Sequence, residues 1–555
     1  MINQVEVICQ NNGMRKAYPK GTTLGQVTAD MQIQLRFPVL GALVNNKLRE
    51  LSYDLFKPKT IEFVDFTTQT GYRMYARSAA FILYTAVKEL FPHAKLRIEH
   101  SVSNGAYCEL DDLGDCISDA DVLALKQKMT EIIAQDIPFT RVEKLTEEVI
   151  QMFDHPEHAE KVTLFKYREQ LYSSVYGLGD AVNYFYGYLV PSTGYITQFD
   201  LTKYFCGFLL RIPEKNSPWQ MNGFKRQDKL FKVFREHKKW ANILGVSYVG
   251  QLNQATSQKR DADLIKISEA LHEKKIARIA DKIYKRKKDV RVILIAGPSS
   301  SGKTTFSKRL SVHLMVLGLQ PVQISLDNYF VDRELTPRDE NGDYNFETIK
   351  ALDIDLFNQN LQDLIAGKEA YLPKFDFTTG KQTRKDSMMQ MKENQILVIE
   401  GIHGLNPELT SSIPDIAKYG IFVSALTQIS IDAQNPIPST DNRLIRRIVR
   451  DYRFRNYSAL DTLARWDSVR KGEEHYIFPF QENANSMFNS ALLYELAVLK
   501  TFAEPIIKAV PETRPEYAEA QRLLKFLSYF KQISARDIPP TSIVREFLGG
   551  SSFIY

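Results

Sequence analysis

The sequence predicts a multidomain protein of mixed class, α+β in its N-terminal half and α/β, built on a parallel sheet, in its C-terminal half. Three observations carry this prediction. The chain has 555 residues, too many for one ordinary core, so two to four domains are expected. Hydrophobic residues make up 44% and charged residues 25%, enough apolar material for real cores and too much for a disordered chain. From Arg291 onward, short apolar runs (VILIAG, PVQISLD, ILVIEG and GIFVSA) alternate with longer helical stretches, the pattern of buried parallel strands joined by crossover helices.

Residues 1–66 hold β-branched runs at Val5 to Ile8 and Ile61 to Phe66 around a helix-like stretch beginning near Thr23, which predicts a small α+β module. Apolar residues then recur at helical spacing from Tyr72 to Leu90, and Pro92 supplies the stop. A second domain is expected over 67–213, with the Tyr-rich NYFYGYLVPSTGY segment closed by Pro191 and Gly194. Residues 214–288 are polar and basic and end in KIYKRKKDV, which reads as a helical connector to a last domain over 289–555.

Lys and Arg number 72 against 66 acidic residues, a balance of +6 that permits an anionic substrate without demanding nucleic acid. The longest apolar runs, Ala79 to Val87 and Val292 to Ala296, fall short of the roughly 18 residues a bilayer span needs. No membrane partner is expected. The N-terminus lacks the order of a signal peptide, so a cytoplasmic location is expected. The four cysteines, Cys9, Cys108, Cys116 and Cys206, are scattered, and reduced thiols are the expectation. His155 and His158 have metal-like spacing but flank Pro156 with no further ligand near in sequence, and read as an exposed loop.

The chemistry concentrates at Gly297 to Thr304, GPSSSGKT, which matches the phosphate-binding pattern G-x-x-x-x-G-K-[ST] between a predicted strand and a predicted helix. Backbone N–H groups along Gly297, Ser299, Ser300, Ser301, Gly302, Lys303, Thr304 and Thr305 would cradle the phosphates of ATP, helped by the helix N-terminus. Lys303 is expected to reach the β- and γ-phosphates and Thr304 to ligate Mg²⁺. The strand PVQISLD ends in Asp327, expected at the carboxyl edge of the sheet beside the P-loop strand, where it would accept a hydroxyl proton. ILVIEG ends in Glu400, suited to Mg²⁺ or its water. In NRLIRRIVRDYRFR, Arg443, Arg447 and Arg450 share one helix face, so several cations would meet one phosphate cluster, with the outward arginines solvated.

These segments resemble the uridine kinase and phosphoribulokinase group of P-loop kinases. The marks are GPSSSGKTT, LDNYF at 326–330, YNFET at 344–348, PKFDF at 373–377, VIEGI at 398–402 and RLIRRIVRD at 443–451. The resemblance implies that Asp327 is the general base, that Glu400 supports Mg²⁺, and that Glu347 takes the ribose hydroxyls. It places Phe375 and Phe377 beside the base, and Arg447, Arg450 and Arg455 among the substrate and lid arginines, with Arg450 and Arg455 acting in catalysis beside Lys303. The base-reading His of uridine kinases is replaced within TTGKQ near Gly380, so no preference for uracil is implied.

Residues 1–65 resemble the TGS domain, a β-grasp module of threonyl-tRNA synthetases. MYARSAAFILYTAVKELFP and NYFYGYLVPSTG resemble the two metal-site segments of the synthetase editing domain. The four ligand positions fall on Arg77, Phe81, Phe185 and Leu189, none of which binds zinc in the usual way, so no zinc and no deacylase chemistry are expected. The expected activity is transfer of the γ-phosphoryl group of ATP to the 5′-hydroxyl of a nucleoside. The rivals are a kinase of another hydroxylated metabolite (a sugar phosphate or pantothenate) and a nucleotide-switched RNA-binding regulator; for the basic run, a charged helix is favoured over RNA binding.

Overall fold

The computed structural model describes residues 3–339, 342–383 and 388–554. The chain opens with β1 (Gln4–Cys9), β2 (Arg15–Pro19) and the two-residue β3 (Thr22–Thr23), which leads into α1 (Leu24–Asp30). Then come β4 (Gly41–Val44), β5 (Lys47–Arg49), β6 (Asp54–Leu55) and β7 (Lys59–Val64). The sheet runs β2-β1-β7-β4-β5, with only β1 and β7 parallel. Alternation in β1 turns Val5, Val7 and Cys9 inward, where they meet Leu24 and Val27 of α1. Thr23 and Gln26 close a capping box at the start of α1. A helix laid over a mixed sheet is the arrangement a β-grasp module requires.

The next segment has α2 (Gln69–Leu90), β8 (Lys95–Val102), β9 (Gly105–Asp111), α3 (Asp119–Ala134), β10 (Thr140–Leu145), α4 (Thr146–Met152) and α5 (Ala159–Lys166). It continues with β11 (Tyr172–Leu178), β12 (Ala181–Asn183), β13 (Asp200–Tyr204) and β14 (Gly207–Arg211). Two antiparallel sheets result, β13-β14-β9-β8 and β10-β11-β12. From Ser78 to Val87, α2 is buried on every side, because α3, β8 and β11 all pack on it.

Two expectations change here. Cys116 and Cys206 form a disulfide rather than standing reduced, while Cys9 and Cys108 remain free and buried. The partners lie 90 residues apart, beyond any local spacing signal; the fold joins them by packing α3 against β13. The His155–His158 segment is a short 3-10 turn, not an open loop: the His155 ring accepts from the Glu157 N–H, and His158 packs edge-on to Phe153.

Within residues 214–288 the helices are α6 (Asp228–Leu244), α7 (Val249–Ser257) and α8 (Asp261–Tyr284), while residues 214–227, expected in a helical connector, carry no helix. They are packed rather than strung between domains. Ile265, His272, Ile276, Ile279 and Ile283 of α8 are buried at helical spacing, and α8 lies against the helix that follows the P-loop.

The C-terminal part contains β15 (Val292–Ala296), α9 (Lys303–Val316), β16 (Gln320–Ser325), α10 (Ile354–Ile365), β17 (Glu369–Tyr371), β18 (Lys374–Asp376), β19 (Lys381–Thr383), β20 (Met388–Gln390), β21 (Gln395–Glu400) and β22 (Lys418–Ser424). It ends with β23 (Ser430–Asp432), β24 (Asn435–Pro436), α11 (Ser439–Phe454), α12 (Ala459–Tyr476), β25 (Ser486–Asn489), α13 (Glu495–Lys508), α14 (Tyr517–Leu527) and α15 (Arg545–Leu548). The main sheet is wholly parallel, in the order β16-β21-β15-β22-β25. The Asp327 strand is therefore not beside the P-loop strand, because β21 lies between them. The two halves are joined through a fully buried ion pair, Lys161 to Asp432 at 3.0 Å. Among the described residues, no helix is long and apolar enough to cross a membrane.

Candidate active site

The middle strand of the sheet, β15, ends at Ala296, and the chain then turns through Gly297 to Gly302 into α9. Two glycines are required there. A Cβ on Gly297 would lie 1.9 Å from the Val423 carbonyl oxygen, and Gly302 adopts φ +81° with Ile543 packed against it. Ser300 sits at φ +58°, a left-handed conformation that costs a non-glycine residue on the order of 1 kcal/mol and persists only where the surroundings impose it.

Those surroundings are two buried ion pairs. Arg443 and Glu473, both at most 2% exposed, pair through two guanidinium–carboxylate hydrogen bonds. Together they clamp Ser299, whose N–H donates to Glu473 at 3.1 Å and whose carbonyl accepts from Arg443 at 3.2 Å. Arg446 pairs with Glu495 at 2.6 Å, approaches the Ser300 carbonyl at 3.4 Å and bonds Ser490; Ser490 in turn donates to the Ser301 carbonyl. Arg443 is thus a buried structural cation, not one facing a phosphate cluster, and Arg446 is not solvated. Sequence reasoning assigned no role to Glu473 or Glu495, which are 30 and 49 residues from their partners.

Lys303 donates to the Pro298 carbonyl at 3.2 Å. The Thr304 hydroxyl donates to Glu400 at 3.4 Å, and Ser325 donates to the same oxygen at 3.3 Å. Burial, and next the neighbouring Asp327, push the Glu400 carboxyl up to about 7. Asp327 lies two residues past β16, in a 3-10 turn capped by Ser325. Burial raises its carboxyl, against the pull of Lys303, Arg455 and Arg450. Thr305 donates its N–H and hydroxyl to Glu546 of α15 at 3.2 and 2.6 Å, a contact with no signal in the sequence.

Glu347 is pushed to about 7 by burial and then by Glu473, with Arg447 opposing. One of its carboxylate oxygens is buried with no hydrogen-bond partner, and it packs over Gly472 of α12, where a Cβ would lie 2.3 Å from its own. Arg447 bonds the Ser299 hydroxyl at 3.1 Å. Asp451, nearly fully buried, gathers Arg447 at 3.2 Å, Arg450 at 2.9 Å and Arg455 at 3.7 Å. The structure thus brings together Lys303, Asp327, Glu347, Glu400, Arg447, Arg450 and Arg455. Phe375 is different: it is buried, with Phe330 at 5.7 Å and Phe377 at 5.1 Å, whereas Phe377 is 59% exposed. Gly380 holds the β18–β19 turn at φ +71°.

The aligned metal positions of the N-terminal half also converge. Phe81 and Phe185 have ring centroids 5.3 Å apart, Leu189 is buried beside them, and Arg77 donates to the Tyr188 carbonyl at 2.9 Å. Among the described residues, no group of three or more His, Cys, Asp or Glu side chains is placed to hold a metal ion.

A phosphate-binding loop on the middle strand of an open parallel sheet, with carboxylates at the ends of the two strands to one side, defines a P-loop kinase type of domain. Residues 292–493 match the model of the Phosphoribulokinase / Uridine kinase family. The N-terminal region is similar to threonine–tRNA ligases. It is 32% identical over 214 residues to that of Desulforamulus reducens (38% of this chain, 33% of the relative) and 30% identical over 184 residues to that of Syntrophomonas wolfei (33% and 29%). The chain spans about a third of the length of these curated relatives. Among solved structures, a possible uridine kinase from Bacillus stearothermophilus aligns with a TM-score of 0.27 and 20% identity, covering 39% of this chain and 97% of that one.

Proposed function

We propose that the C-terminal domain transfers the γ-phosphoryl group of ATP to the 5′-hydroxyl of a ribonucleoside. The observation that carries this reading is the convergence of Asp327, Lys303 and Glu347, one of whose carboxylate oxygens is partnerless, in one cluster at the end of the sheet. Asp327 accepts the proton of the attacking hydroxyl. Lys303 and the P-loop N–H groups hold the phosphates, and Arg450 and Arg455 meet the transferring group as negative charge redistributes. Glu347 binds the ribose hydroxyls, with Arg447 holding its charge in place. Hard oxygen donors from Thr304 and Glu400, 3.4 Å apart, suit Mg²⁺, which when bound with the nucleotide neutralises charge on its β- and γ-oxygens.

One observation favours a second reading. Phe375 is packed into the core, which leaves Phe377 alone as a face for a base, so a kinase of another hydroxylated metabolite is the rival. In the N-terminal half, the apolar contact of Phe81 with Phe185 supports a module without zinc or deacylase activity. The deciding experiment is a coupled ADP-release assay over nucleosides, pentose phosphates and pantothenate. Ribonucleosides turning over well above their 2′-deoxy forms would support the Glu347 assignment, because a site built for a hydroxyl is left unpaired without it. Turnover of pentose phosphates or pantothenate alone would replace the nucleoside by the rival.

A further inference from the structure

Five cations gather where the first sheet, the editing-like segment and α14 meet: Arg49, Arg77, Arg141, Arg168 and Lys525. Tyrosines link them. Arg49 donates to the Tyr188 hydroxyl at 3.1 Å, and Arg141 lies 5.5 Å from the same ring. Arg77 is 5.7 Å from the Tyr186 ring, which is 6.4 Å from that of Tyr529. Arg168 stacks 4.4 Å over Tyr529 and bonds the Tyr184 hydroxyl at 3.2 Å. Lys525, in the last turn of α14, shortly precedes Tyr529 in the chain.

Elsewhere the buried cations are matched: Lys161 by Asp432, Arg443 by Glu473, Arg446 by Glu495, Arg522 by Asp441. Among the described residues, none of these five has a carboxylate within ion-pair distance. Arg168 is nine-tenths buried, and its Nε has no hydrogen-bond partner. The acids nearby are Glu50, which accepts from the Tyr176 hydroxyl at 2.6 Å, and Glu143. The desolvating surroundings of the Lys525 ammonium, and then Arg168, Arg141 and Arg77, lower it to about 8, with Glu143 opposing. Such a set is costly unless an anion completes it.

We propose that this cluster binds a phosphate-bearing small molecule. Guanidinium forks match phosphate oxygens, and the half-buried Tyr188 ring beside Arg49 and Arg141 offers a flat face to the rest of the ligand. The test uses the full chain carrying Lys303→Ala, so that the P-loop contributes least to anion binding. Calorimetric titration with inorganic phosphate, ribose 5-phosphate and uridine 5′-monophosphate is expected to show one site per chain, weakening with salt, and the tightest of the three identifies the source. Lys525→Gln and Arg141→Gln, both exposed side chains whose removal spares the core, are each expected to weaken binding roughly tenfold or more. Binding by any of the three that is lost in these variants supports the site. Unchanged affinity in both variants, no binding by any of the three, or binding of a short single-stranded RNA alone would overturn it.

Discussion

Glu473→Gln removes charge from a carboxylate that is fully buried and that satisfies Arg443, Arg470 and the Ser299 N–H at once. Arg443 is itself only 2% exposed, so its charge would stay desolvated with no counter-charge. Breaking a buried pair from one side in this way costs about 3–5 kcal/mol, and Arg443→Met alone should cost a similar amount. Replacing both, as Arg443→Met with Glu473→Leu, leaves no buried charge and should recover most of the lost stability, because apolar pairs of similar volume are often as stable as the ion pair they replace. Activity should not return with it. Ser299 would still lack the partners of its N–H and its carbonyl, and the loop that must present N–H groups to phosphate would lose its register. Urea unfolding gives the first quantity and kcat/KM for ATP gives the second. A double variant that regains both stability and wild-type kcat/KM would refute the claim that this pair positions the loop, and one as unstable as the single variants would refute the burial argument.

Asp327→Asn is expected to lower kcat by ~10²–10⁴ while leaving ATP binding nearly intact, whereas Lys303→Ala loses ATP binding itself; wild-type turnover by Asp327→Asn on every accepted substrate would remove it as the base. The pH response of stability rests on Glu347 and Glu400, both raised to about 7. Because the folded state holds these protons more tightly than the unfolded chain, each carboxyl makes the free protein less stable as pH rises from the ordinary carboxyl range to about 7. Melting temperatures across that window should fall less steeply for Glu347→Gln, and a slope equal to wild type would contradict the shift. Glu546→Gln removes a carboxylate from the Thr305 N–H and hydroxyl and is expected to lower KM for ATP several-fold, since an anion at the first turn of α9 competes with phosphate; an unchanged or raised KM would mark the contact as a helix cap only.

What the sequence made legible follows the range of each signal. GPSSSGKT could be read because its chemistry is contiguous: the loop, the strand before it and the helix after it are neighbours in the chain. The four apolar runs became strands for the same local reason, and Thr23 and Tyr72 to Leu90 marked helices that the fold kept. Strand order was not legible, because a crossover helix carries the chain past a neighbour without any local mark, and so β21 with Glu400 came to lie between Asp327 and the P-loop strand. Cys116 and Cys206 found each other across 90 residues for a similar reason. The arginines of α11 show the limit most clearly. Arg443, Arg446, Arg447 and Arg450 are alike in the sequence, and spacing sorts them by face but not by partner. Their fates were set by acids elsewhere: Glu473 on α12 and Glu495 on α13 draw the first pair into the core, while Asp451 on α11 itself keeps the second pair at the cleft. Where a cation lies depends on which carboxylate it pairs with: an acid on another helix buries Arg443 and Arg446, and Asp451 on the same helix leaves Arg447 and Arg450 less buried. The arginines paired with acids on other helices therefore hold the loop in place through the Ser299 and Ser300 carbonyls.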